Sequence, residues 1–272
     1  MQVLWVYAHP DPRSLNGSLR DLGIRVLREH GHEVRESDLY AMGWDPVVRA
    51  ADFAHDPAER LDVLAESQRA LEDGSLHEDI RAEQEKLRWA DTLVVQFPLW
   101  WFGMPAILKG WFDRLFVQGF AQGVLDPDTG RARRYGDGGL VGRRAMVLTT
   151  VGANAATTGP RGIHGELDET LFPLTHGTFW YSGMSVVAPF VVNGAVALSD
   201  EDYADAAARL TERLVALPDT ETIPFRHQNG GDYDDHLVLR PDRASGETGV
   251  GVHYAAGGVR CGRSGGDDEA RR

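Results

Sequence analysis

The chain has one cysteine, Cys261, so it can build neither an internal disulfide framework nor a multi-cysteine zinc or iron–sulfur site. It has no apolar run of 18 residues, and no transmembrane helix is expected. The N-terminus passes straight into "QVLWVYAHP" with neither a basic n-region nor a cleavage site, so a signal peptide is not expected and a reducing cytoplasm is the expected compartment. Cations are in deficit, with 28 Lys and Arg against 41 Asp and Glu and a formal net charge of −13. No long basic stripe is left to neutralise phosphates, which argues against nucleic acid as a main partner. The densest basic stretch, "RRYGDGGLVGRR" (Arg133 to Arg144), reads as a solvated loop.

Several catalytic signatures are missing too. There is neither a GxGxxG nor a GxxxxGK[ST]. His30, His32 and Glu33 gather at a turn remote from any expected cleft, and His164 and His176 are twelve residues apart, too many turns along a helix to share an ion. No metal site is expected.

What the chain does have is alternation. "VLWVYAH" (Val3 to His9), read as a buried strand, is followed by four further strands, "HEVRESDL" (His32 to Leu39), "DTLVVQFP" (Asp91 to Pro98), "RRAMVLTTVG" (Arg143 to Gly152) and "MSVVAPFVV" (Met184 to Val192). Between them, helical spacing appears after "PDPRS", over Ser75 to Ala90, over Met104 to Phe116, from about Glu166 to Tyr181, and over Asp200 to Leu217. Some forty polar residues after the second strand form an excursion with a helix of its own. This order predicts an α/β fold with an open, mostly parallel five-stranded sheet covered by helices on both faces. A domain over residues 1–225 is expected, followed by an extended arm over 226–272 that could pack on a partner subunit. The last 47 residues hold ten of the 31 glycines, and disorder is expected from about Gly257.

In such sheets ligands bind beyond the carboxyl ends of strands at a topological switch point, which directs attention to three corners. The first, "AHPDPRSLNGS", offers His9, Ser14, Asn16 and Ser18 ahead of a helix N-terminus; it reads either as a diphosphate cradle or as a Ser/Asn helix cap. The second, "QFPLWWFGMPAILKGWFDRLF", stops a strand at Pro98 and starts a helix near Pro105. The aromatics between them would stack on a flat ligand or fill core and dimer contacts. The third, "TTVGANAATTGPRGIHGELDE", ends a strand on two threonines and carries His164, which could donate a proton or stabilise developing negative charge, or serve as a hydrogen-bonded structural residue.

Together with "ESDLYAMGWDP" and "GPRGIHGELDETLFPLTHG", these motifs run collinearly from about residue 1 to 195 and resemble the NAD(P)H:quinone oxidoreductases of the flavodoxin-like fold, the DT-diaphorase family. The resemblance implies a homodimer with FAD at the subunit interface, FMN being the less expected flavin. It also implies NAD(P)H as donor and a quinone as acceptor in ping-pong hydride transfer. Carried over, it assigns His9, Ser14, Leu15, Asn16 and Ser18 to the diphosphate and ribityl region, and Pro98, Leu99, Trp100, Trp101, Phe102, Thr149, Thr150 and Gly152 to the isoalloxazine ring. Trp101, Phe102, Gly152 and Tyr181 would meet the substrate, and His164 would stabilise charge on the reduced flavin. The family's catalytic tyrosine falls near Thr158, and the two tyrosines that a partner subunit contributes fall at Gln122 and Val124. A flavin-contacting glutamine falls at Asp62, and Trp100 replaces another glutamine. Tyr233 is the aromatic candidate in the C-terminal part. Two other functions stay open at this point: a flavin-binding regulatory subunit of a potassium-efflux system, and a reductase of azo, nitroaromatic or secondary-metabolite substrates.

Overall fold

The computed structural model describes residues 1–255; Cys261 and the tail beyond Gly257 lie outside the described residues. Five strands, β1 (Gln2–Tyr7), β2 (Glu33–Asp38), β3 (Thr92–Pro98), β4 (Arg144–Thr150) and β5 (Ser185–Val192), form one sheet in the order β2-β1-β3-β4-β5. Every adjacent pair is parallel. Parallel neighbours require crossovers, and α1 (Leu15–Glu29), α2 (Val63–Asp73), α3 (Glu78–Trp89), α4 (Ala106–Leu115) and α5 (Leu167–Leu174) supply them; α6 (Asp200–Val215) follows the last strand. The sheet is the expected flavodoxin-like, doubly wound one.

Strand pleat decides which helices cover which face. Val3, Trp5 and Tyr7 of β1 point into one core, with Leu19 and Leu27 of α1 and Leu210 and Leu214 of α6. Leu4 and Val6 point into the other, with Ile80 and Leu87 of α3 and Leu108, Trp111 and Leu115 of α4. All seven residues of β3 are buried, as a strand with both faces covered must be.

The sequence placed one helix over Ser75 to Ala90, but α3 starts at Glu78. Gly74 closes α2 in the left-handed conformation at φ 76°, and the chain needs the next three residues to turn into α3. The segment expected as helical from Glu166 to Tyr181 is α5 followed by a π-helical turn over Thr175–Trp180, in which the Tyr181 N–H donates to the His176 carbonyl five residues back. Beyond Phe225 the arm turns back on the body: Phe225 bridges Tyr254, and the Arg226 N–H donates to the His253 carbonyl at 2.9 Å. Among the described residues, no helix is long and apolar enough to cross a membrane.

Candidate functional site

The strand order puts the ends of β1, β3 and β4 side by side, so the three corners meet at one edge of the sheet.

At the first corner the Ser14 hydroxyl caps α1 by accepting from the Gly17 N–H at 3.2 Å, so this serine does serve as a helix cap. Gly17 has no substitute here, since a Cβ would stand 1.8 Å from the Pro12 carbonyl oxygen; the loop before α1 lies directly on the helix's first turn. Asn16 is buried. Its amide donates to Thr150 Oγ1 at 2.9 Å, and its main-chain carbonyl accepts from Gln96 Nε2 at 2.6 Å. Its side-chain oxygen Oδ1 is buried with no partner, an unmet acceptor of the kind proteins rarely leave without a reason. Leu15 packs against the α1/α6 core, and Ser18 follows in the first turn. His9 Nδ1 is tied to the Asp11 backbone at 3.0 and 3.1 Å.

Gln96 holds the corner together and carries no functional signal in the sequence. Fully buried in β3, it accepts from Trp5 Nε1 at 2.9 Å and donates to α1, joining two strands and a helix start through one carboxamide.

The second corner is a hairpin. Pro98 pairs with Thr150, the Leu99 N–H donates to the Thr150 carbonyl at 2.9 Å, and Trp100 and Gly103 exchange two backbone hydrogen bonds of 3.0 Å each. The two residues between them, Trp101 at φ 49° and Phe102 at φ 61°, both lie in the left-handed region. A two-residue turn with two positive φ values is the habitat of Asn-Gly. For a bulky L-residue the left-handed region costs on the order of 1–2 kcal/mol. In exchange, Trp101 stands 97% exposed and Phe102 56% exposed beside the strand ends. The Trp100 ring lies 6.2 Å from His9, and Phe102 lies 5.6 Å from His164. These aromatics therefore connect the first corner to the third.

At the third corner, Thr149 is buried and donates to the Phe97 carbonyl at 2.8 Å, while Gly152 is exposed. Asn154 caps a short 3₁₀ turn (Ala155–Thr158), and the buried Thr158 hydroxyl donates to the Ala155 carbonyl at 3.2 Å. The threonine at the family tyrosine's position is thus engaged within its own turn. The loop then doubles back: the His164 N–H donates to the Thr157 carbonyl at 3.0 Å, and a Cβ on Gly162 would lie 2.1 Å from that same oxygen. The fold pins His164 by its backbone and leaves its imidazole exposed against Phe102.

A cavity of about 500 Å³ opens between α4 and α5, and Phe102, Met104, Phe112, Gln122, Leu174 and Tyr181 are among the residues lining it. Tyr181, set edge-on to Tyr135 at 5.2 Å, shares this space with Phe102. Val124 is not among its lining residues, and Asp62 is the N-cap of α2, accepting from the Leu64 and Ala65 N–H groups. Tyr233 stands in a second, polar cavity of about 660 Å³ between the arm and Arg131–Arg134. Its hydroxyl meets His253 Nδ1 at 2.9 Å, and burial pushes the phenol up to about 12. Beneath the arm, His176 stacks on Phe172 at 4.4 Å; burial, reinforced by His253, pulls its pKa down to about 4. Among the described residues, no cluster of His, Cys, Asp and Glu could hold a metal ion.

Residues 1–214 match the model of a family described as having the flavodoxin-like fold. A ribosyldihydronicotinamide dehydrogenase-like protein of Penicillium crustosum is 41% identical over 257 residues, 93% of this chain and 95% of that protein. The human ribosyldihydronicotinamide dehydrogenase [quinone] is 37% identical over 225 residues, 82% of this chain and 94% of its own length. A solved structure from Klebsiella pneumoniae, named as a candidate quinone reductase, superposes with a TM-score of 0.90 at 48% identity, covering 94% of this chain and 100% of that one.

Proposed function

Because the chain belongs to the flavodoxin-like family of NAD(P)H:quinone oxidoreductases, we propose that it is a flavin-dependent enzyme. In this reading it passes two electrons from a reduced nicotinamide to a quinone or similar flat acceptor, as a homodimer with ping-pong exchange of substrates. The observation that carries the reading is the Trp101–Phe102 turn: two aromatic residues held left-handed, at a cost in backbone energy, beside an exposed imidazole. Strain of this kind concentrates where geometry serves function.

The residues fit a flavin. The unpaired Asn16 Oδ1 is an acceptor and suits a ribityl hydroxyl rather than a phosphate. The first-turn N–H groups of α1, on Leu15 and Asn16, precede any intrahelical bond and suit a phosphate, with Ser18 close by in the same turn. We assign FAD rather than FMN on the family likeness. When bound, the flavin supplies the hydride-accepting and hydride-donating chemistry, and the protein supplies binding, orientation and electrostatics. Trp101 and Phe102 offer stacking faces and exclude water from a flat ring. Pro98, Leu99, Thr149, Thr150 and Gly152 form the floor at the ends of β3 and β4. His164 opposes negative charge as it develops, by donating a hydrogen bond from an imidazole whose backbone is already fixed. The Thr158 hydroxyl would first have to leave the Ala155 carbonyl to assist it.

The names of the curated relatives bear on the donor. The human relative is a ribosyldihydronicotinamide dehydrogenase by name and the Penicillium one is named as like it, so dihydronicotinamide riboside belongs beside NADH and NADPH in the assay. The test is to purify the protein, denature it, identify the released flavin, and follow anaerobic bleaching by each donor and recovery on adding menadione. FAD that bleaches and recovers supports the proposal. Released FMN overturns the FAD assignment. Bound flavin without turnover on any quinone favours the regulatory-subunit reading, and no flavin after reconstitution with excess FAD overturns the function.

A further inference from the structure

The cavity beside Phe102 has six lining side chains with polar ends: Lys109, Asp113, Gln122, Thr170, Thr178 and Tyr181. Four are already engaged within the chain. Lys109 Nζ and Asp113 pair with each other across one turn of α4. Thr170 donates to the Glu166 carbonyl at 3.3 Å and Thr178 to the Pro173 carbonyl at 3.1 Å. The Gln122 carboxamide and the Tyr181 hydroxyl are left, and neither has a hydrogen-bond partner among the described residues. The rest of the wall is apolar, including Phe97, Phe102, Met104, Phe112, Leu171 and Leu174.

Gln122 is also well placed to select. Its main-chain carbonyl accepts from the Gly119 N–H at 2.7 Å, and its backbone bridges Gln118, so the turn is closed on itself. The turn is bounded by Gly119 at φ 87° and Gly123 at φ 66°, conformations that side chains resist, and a Cβ on Gly123 would meet the Gln118 carboxamide at about 2 Å. A rigid turn thus presents the amide to the cavity, and little ordering is left for binding to accomplish.

A carboxamide brings a donor and an acceptor together. The carbonyls of a plain quinone only accept; they can satisfy the Gln122 NH₂ but leave its oxygen unpaired when the cavity is dry. We propose that Gln122 is a specificity-determining residue that favours uncharged flat acceptors carrying a hydroxyl over their alkyl analogues. This rests on the reductase reading above. Among the described residues, Lys109 is the one cation lining the cavity and Asp113 neutralises it, which argues for a neutral acceptor. The Tyr181 hydroxyl, free to rotate, can donate to a quinone carbonyl in either compound and so does not discriminate between them.

The experiment compares 2-hydroxymethyl- and 2-ethyl-1,4-naphthoquinone, a near-isosteric pair, on the flavin-loaded protein. Dissociation constants are read from quenching of tryptophan fluorescence, to which the exposed Trp101 contributes, and kcat/KM is measured alongside. The wild type should bind the hydroxymethyl compound about 3- to 10-fold more tightly than the ethyl one, the range of one net hydrogen bond. Gln122→Met should bring that ratio close to one in both readouts, with circular dichroism confirming the fold. Equal affinity of the wild type for the two compounds overturns the assignment without reference to any variant, and so does a preference that survives in Gln122→Met. If the flavin-loaded wild type neither binds nor reduces either compound, the reductase reading itself fails, and this assignment falls with it. That result is distinct from quinone turnover without discrimination.

Discussion

Replacing Trp101 by asparagine should make the flavin-free protein more stable and the enzyme worse. Trp101 is 97% exposed, so truncating it forfeits almost none of the roughly 25 cal/mol per Å² that burial would supply. Its φ of 49° carries the left-handed cost of about 1–2 kcal/mol that an ordinary L-residue bears, and asparagine, enriched in that region, bears much less of it. Asparagine also avoids the extra unfolded-state entropy a glycine would bring. The expected gain is about 1 kcal/mol. At roughly 2 cal/mol/K of unfolding entropy per residue, a body of this size shifts its Tm by about 2 °C for that gain. The assay is thermal unfolding of wild type and Trp101→Asn with flavin removed from both, followed by far-ultraviolet circular dichroism. Alongside it, flavin affinity and quinone turnover of the loaded forms are expected to fall about tenfold. A lower Tm in the flavin-free variant would refute the reasoning, since it would mean that the tryptophan packs in the folded state and that the turn stores no strain for the site.

His164→Ala should slow reduction of the bound flavin by NADPH about tenfold or more in stopped flow while leaving Tm within about 1 °C, because its side chain is exposed and only its backbone ties the loop. Gln96→Leu should lower unfolding free energy by about 2–4 kcal/mol in denaturant melts, since it strands both the Trp5 indole N–H and the Asn16 carbonyl in a buried site. Burial lowers His176 to about 4 in the folded chain against 6.5 when unfolded, so between those values the unfolded chain binds the extra proton. Stability is then fully present above about pH 6.5 and declines towards pH 4, by about 3 kcal/mol in total. His176→Phe should flatten the stability profile over that window.

The corners were legible because proline, glycine and clustered aromatics mark them locally, and because parallel strands with helices between them leave few ways to place the ends of β1, β3 and β4. Ser14 as a cap was legible for the same reason. What escaped the sequence is what depends on the third dimension. Gln96 sits in an apolar run where a single polar residue carries no sign of its three-way junction. Neither Trp101 nor Phe102 is a turn-forming residue, so nothing local announces two positive φ values; the pair of backbone bonds between Trp100 and Gly103 imposes them. The start of α3 is not marked in the sequence because Ser75 to His77 are compatible with a helix, and only the left-handed Gly74 shows that α2 has just ended. The folding-back of the arm depends on Phe225 meeting Tyr254 nearly thirty residues later, a contact that no window of helical or strand period can reveal.

The π-helical turn over Thr175–Trp180 holds one residue more than an α-helix would need to reach Tyr181, which lines the cavity beside Phe102. Each bond of such a turn spans five residues instead of four, so the turn takes up the extra residue by winding less at every position. Deleting one residue here would therefore restore ordinary α-helical winding and leave Tyr181 facing the same wall. The turn is a place where a relative of this chain could differ in length by one residue and still keep the residue that lines its cavity.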